Sequence, residues 1–181
     1  MGWTGEQSNV WANNSDANWS YYSSPGVSRA YRDNASLYIK DVAYDCIELQ
    51  GDLTPAAVNV NVASGKELSF TGDGRLVGGT ALHVDCGGTL VVDTANANTG
   101  NTVVTTSTLR VTRNGSLGSG SVTLNGATLE VLAADSAEAR SVFAGDNANA
   151  TIKLGVDMTI SKGDSDAATA GALYTIGANH T

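Results

Sequence analysis

Positive charge is scarce in this chain. Ten lysines and arginines stand against 18 aspartates and glutamates, giving a formal net charge of −8 and a pI near 4.5. Nucleic acid and anionic membranes both require a basic face, so neither is an expected partner. Sialylated or sulfated glycans would be repelled over most of such a surface, so net charge cannot be what attracts them. Proline (2) and charged residues (15%) are also few, a profile that argues against helix bundles. No run of about 18 consecutive apolar residues occurs, so no membrane insertion of this segment is expected. Met1 leads straight into "GWTGEQ", without the charged and apolar stretches of a signal peptide. Any such peptide is expected to have been removed. The last residues, "YTIGANHT", stop in mid-pattern, and a fragment of a longer protein is expected.

Glycine (21), Asn, Thr, Ser and Ala are plentiful, as in proteins made of many short strands joined by tight turns. Apolar-x-apolar triplets recur at Ile47-Leu49, Leu68-Phe70, Leu90-Val92, Leu109-Val111, Leu129-Val131, Ile152-Leu154 and Tyr174-Ile176. Their spacings are 21, 22, 19, 20, 23 and 22 residues. A second series runs between them through Val58/Val60/Val62, Leu82/Val84, Val103/Val104, Val122/Leu124 and Met158/Ile160. Such a period predicts an all-β parallel solenoid of about six to seven coils over residues 46–181, with inward side chains stacking from coil to coil. The alternative is a β-sandwich with a strand about every 8–12 residues. Thr89, Thr108 and Thr128 each precede a Leu-x-Val and would stack as a ladder. Asn125-Gly126, a hairpin signal when read alone, becomes a corner within one coil, with Asn125 suited to the left-handed conformation. Residues 133–144 have helical composition but fit strand and loop.

Residues 1–45 do not follow this period. They hold all three tryptophans, Trp3, Trp11 and Trp19, and are expected to form an aromatic cap over the open solenoid end. The alternative is a carbohydrate-binding module, with the three indoles stacking on sugar rings.

The stretch "GGTLVVDTANANTGNTVVTTSTLRVTRNGSLGSGSVTLNGATLEV" (87–131) resembles the autotransporter-associated β-strand repeat, also called the passenger-associated transport repeat. Gly88-Thr89-Leu90, Thr99-Gly100, Leu117-Gly118 and Leu124-Asn125-Gly126 match that pattern, while Ala127 and Ser107 stand where the family has glycine. The resemblance is specific over about 45 residues and weaker elsewhere. It implies a right-handed β-helix in the passenger of a secreted, cell-surface or outer-membrane-associated protein. Such a segment is structural and adhesive, and host glycoprotein or glycan is the implied partner. The family motif carries no catalytic residues, and no cofactor is expected.

Chemistry, if present, would fall to acids. Asp52 lies five residues after Ile47 and Asp73 five after Leu68, each behind a glycine. If these positions stack, two carboxylates stand close enough to raise one pKa. An acidic hydrolase of the aspartic-protease or glycosidase type, acting on a glycoprotein such as mucin, would use that pair. The plain alternative is Gly-Asp turn chemistry. His83 and Asp85 would face outward from one strand, but no nucleophile motif accompanies them. Cys46 and Cys86 fit no zinc spacing and would stand two coils apart, roughly 10 Å, too far for an unstrained disulfide. They are expected to be buried free thiols. Asp164 and Asp166 lack a calcium-loop motif, and no metal site is expected.

Overall fold

A computed structural model describes residues 1–13, 16–40, 44–133, 140–144, 151–154, 158–162 and 172–176. Among them there is no helix. The strands form sheets of eleven, seven and three strands, whose parallel neighbours come from successive turns of one winding chain. This is a β-solenoid of about five turns.

The first face carries Ser36–Lys40, Ala57–Asn61, Ala81–Asp85, Thr102–Thr105, Val122–Asn125, Arg140–Ala144 and Met158–Lys162, all parallel. The second carries Val10–Ala12, Cys46–Gln50, Glu67–Thr71, Thr89–Val92, Thr108–Val111, Thr128–Val131 and Thr151–Leu154, again parallel. The third is short: Asp52–Leu53, Arg75–Gly78 and Ala97–Asn98.

Period-two alternation decides what lies inside. Leu37, Val58, Leu82, Thr102 and Val122 form one inward row of the first face, and Ile39, Val60, Val84, Val104 and Leu124 the next. On the second face Leu68, Leu90, Leu109 and Leu129 stack, followed by Phe70, Val92, Val111 and Val131. The spacing of Val103/Val104 needs one correction. Thr102, not Val103, takes the inward place beside Val104. The threonine ladder is present and continues from Thr89, Thr108 and Thr128 to Thr151.

Three further expectations change. The turns number about five rather than six to seven. One reason is that Ala172–Ile176, which carries the last triplet, runs antiparallel to Met158–Lys162 on the first face and adds no turn to the second. The parallel ladders also begin before residue 46: Val10–Ala12 pairs with Cys46–Gln50, and Ser36–Lys40 with Ala57–Asn61. At the Asn125-Gly126 corner it is Gly126 that is left-handed, with φ of 59°. Its equivalents one and two turns earlier, Thr106 and Cys86, hold the same conformation with φ of 54° and 81°. An L-residue there is strained. The Asp85 carboxylate supports both, accepting from the Cys86 amide at 2.6 Å and the Thr106 hydroxyl at 3.2 Å.

The N-terminal end is closed by side chains. Trp19–Tyr21 and Ser24–Arg29 fold antiparallel across the start of the first face. The outermost strand, Ser24–Arg29, carries Pro25, which has no N–H to offer a further strand. On the third face, Asp33 Oδ1 accepts from the Thr54 amide (3.0 Å) and the Tyr31 hydroxyl (2.8 Å), while Oδ2 accepts from Asn13 (2.7 Å). Burial alone would raise the Asp33 carboxyl. The hydrogen bonds from Thr54, Tyr31 and Asn13 outweigh it and hold the group below the usual carboxylate range.

Candidate functional site

The proposed aspartate pair depended on aligning Ile47 with Leu68, a step of 21 residues. In the structure Ile47 stands beside Phe70, a step of 23. The extra two residues keep every side chain on its proper face but move each corner along by two. Asp52 therefore pairs with Arg75, not Asp73. The Arg75 guanidinium grips its carboxylate at 2.8 and 3.3 Å. That bond, with the arginine's charge, holds the Asp52 carboxyl below its ordinary value. A general acid needs the opposite shift.

Asp73 sits at the preceding corner with its side chain wholly in solvent, 3.9 Å from Arg113 Nη2. Two carboxylates sharing a proton are thus replaced by two carboxylates, each facing its own arginine. Such exposed pairs contribute little to stability. Asp52→Asn and Asp73→Asn are expected to leave a mucin-type glycoprotein as intact as wild type does, from acid to neutral pH. Cleavage by wild type that either substitution abolishes would restore the hydrolase.

The tryptophans are in the core. Trp11 is 0% exposed, Trp19 and Trp3 nearly so, and they pack edge to face. Trp3 meets Trp19 at 5.0 Å, and Trp11 meets Trp19, Tyr31 and Phe70 at 5.3, 5.5 and 6.1 Å. Sugar stacking requires an open ring face, and these faces are covered by one another, so glycan binding through Trp3, Trp11 and Trp19 is set aside. Asn18, also fully buried, organises the surrounding loop. Its Oδ1 accepts from the Gln7 and Ser8 amides, and its Nδ2 donates to Ser8 Oγ and the Val10 carbonyl. Every polar atom of that side chain is matched.

His83 and Asp85 do face outward from Ala81–Asp85, as the alternation implied. The cysteines are free, but Cys86 is exposed and Cys46 half-buried, not buried as expected. Cys86 occupies a left-handed corner, where the chain bulges into solvent. Cys46 lies on the outward row of the second face beside Ser69 and accepts from Asn9 Nδ2 at 3.3 Å. Among the described residues no three His, Cys, Asp or Glu side chains gather as metal ligands would. Asp164, Asp166 and His180 lie outside the described residues, as does the 134–139 part of the helical-composition stretch; its end, Arg140–Ala144, is strand.

On the outward side of the second face Arg110 joins two acids from different turns, Glu130 at 2.6 Å and Glu67 at 2.7 Å. Hydrogen bonding to Glu130 and then Glu67 outweighs burial and raises the guanidinium pKa further. A cavity of about 210 Å³ at the corner between the first and second faces is lined in part by Lys40, Asp45, Lys66 and Glu67. No nucleophile stands among them, and charges of both signs compete for any ligand. No family model, curated protein or solved structure matches this chain.

Proposed function

We propose that this chain is a structural segment of an exported surface protein, comparable to an autotransporter passenger, serving as a stalk with an adhesive role. The observation that carries this reading is the continuity of the side-chain rows. Leu68, Leu90, Leu109, Leu129 and Ile152 run unbroken through the second face, and the threonine ladder runs beside them. In a solenoid each turn contacts only its neighbours, so the fold extends by repetition and needs no distant partner to close. The repeat-like residues 87–131 support the same reading, because they supply the turns in which these rows are most regular. The aspartates, by contrast, provide no convergent acid/base geometry.

The test is made on intact cells of the source organism. External protease and an antibody raised against this chain are expected to reach it without lysis. Detection only after the cells are broken open would sink the proposal.

A further inference from the structure

Of the arginines whose side chains are described, three lie on the solenoid body, and each faces a carboxylate: Arg75 with Asp52, Arg110 with Glu67 and Glu130, Arg113 with Asp73. The other two, Arg29 and Arg32, belong to the N-terminal end and have no ion pair among the described residues. Both line one cleft of about 400 Å³, together with Ala17, Tyr21, Ser28 and Ala30.

The acids nearby do not compensate them. Glu6 accepts from the Ser28 hydroxyl, Asp16 from the Ser8 hydroxyl, and Asp33 from Tyr31, Asn13 and Thr54. All three are occupied by neutral donors. Residues 1–40 hold three acids (Glu6, Asp16, Asp33) and three bases (Arg29, Arg32, Lys40). The whole net charge of −8 therefore falls on the remainder of the chain. An anion repelled elsewhere meets a locally neutral end with two open guanidinium groups.

We infer that this cleft binds the carboxylate of an acidic sugar ring, such as a terminal uronic acid. Arg29 and Arg32 supply the planar donor forks that match a carboxylate. Arg29 is held at 5.1 Å from the centre of the Tyr21 ring, which positions its guanidinium at the cleft. The rest of the lining decides between a bare anion and a sugar. The methyl groups of Ala17 and Ala30 with the Tyr21 ring give an apolar wall for the C–H face of a pyranose, and the Tyr21 and Ser28 hydroxyls are polar neighbours for its hydroxyls. Phosphate or acetate would use the arginines alone. The inference names a ligand for the adhesive role proposed above and rests on that part of it.

Titration calorimetry of the intact chain at low salt tests it with methyl glucuronide, methyl glucoside, sodium acetate and inorganic phosphate as probes. The glucuronide is expected to bind at least roughly tenfold more tightly than any of the other three. Arg29→Gln and Arg32→Gln are each expected to weaken it several-fold without changing the melting temperature, while Arg75→Gln changes nothing. Equal binding of the glucoside, or binding that survives the double substitution, overturns the site. Acetate or phosphate binding as tightly as the glucuronide overturns the assignment to a sugar. Because these measurements use the purified chain, a surface-exposed protein that ignores glucuronide loses only the ligand. One that binds glucuronide but is confined inside the cell loses the exported function and keeps the site.

Discussion

Trp11→Ala is expected to lower the free energy of unfolding by roughly 3–5 kcal/mol, the range for truncating a fully buried indole. The residue bridges two parts of the molecule. Through Val10–Ala12 it extends the second face, standing directly beside Leu49, and through its ring it touches Trp19, Tyr31 and Phe70. Removing it opens a hole between the end cap and the first complete turns. Neighbouring turns stabilise one another in a solenoid, so the loss is expected first as fraying at this end. Urea unfolding followed by circular dichroism gives the magnitude, and hydrogen exchange gives the location. Faster exchange at Ser36–Lys40 and Cys46–Gln50, with Thr108–Val111 unchanged, is the expected pattern. Trp11→Phe should cost much less. The ring remains, and the indole N–H of Trp11, which has no hydrogen-bond partner among the described residues, is removed with its desolvation penalty. A loss below about 1 kcal/mol for Trp11→Ala would mean that the aromatic cluster is an appendage rather than part of the core.

The fold was largely legible because two rows of alternating apolar residues recur about every 20 positions, and parallel stacking is what such a recurrence builds. Leu90, Leu109 and Leu129 were placed correctly by their spacing alone. The hydrophobic pattern fails where its own symmetry hides an error. A shift of two residues keeps inward residues inward, so aligning Ile47 with Leu68 or with Phe70 satisfies burial equally well. Only the corners distinguish the two, and Asp52 and Asp73 are corner residues. The supposed acid pair was therefore set at the least determined positions of the turn. The third face escaped notice for a different reason. Its strands are two to four residues long, and its inward row passes from Leu53 and Leu76 to Asn96 and Ser116, so apolar periodicity dies out along it. The Arg29–Arg32 cleft has no sequence signature at all. It exists because Ser24–Arg29 folds back antiparallel on Trp19–Tyr21, a contact that no periodicity encodes.

That fading third row carries the second large effect. Asn96→Leu is expected to destabilise the protein by roughly 2–4 kcal/mol, although leucine has nearly the same shape and is more hydrophobic. Asn96 is 8% exposed and lies at the level of Leu76 one turn before and Ser116 one turn after. Its Oδ1 accepts from the Leu76 amide at 2.9 Å and the Thr94 hydroxyl at 3.1 Å, and its Nδ2 donates to the Ser116 carbonyl at 2.7 Å. One amide side chain thus joins three successive turns where the backbone ladder of this face gives out after Ala97–Asn98. Leucine would leave the Leu76 N–H and the Ser116 C=O buried without these partners, and each such group costs about 1–3 kcal/mol. Asn96→Asp separates polarity from geometry. It keeps the acceptor for Leu76 but replaces the donor to Ser116 with a second acceptor and buries a charge, so it should be at least as damaging at neutral pH. As the pH falls, protonation of the new carboxyl restores an O–H donor and should recover part of the loss. Chemical unfolding of the three proteins at neutral and acid pH decides the matter. If leucine proves neutral, the hydrogen bonds of Asn96 add nothing, and the turns around it are held by the apolar rows of the other two faces alone.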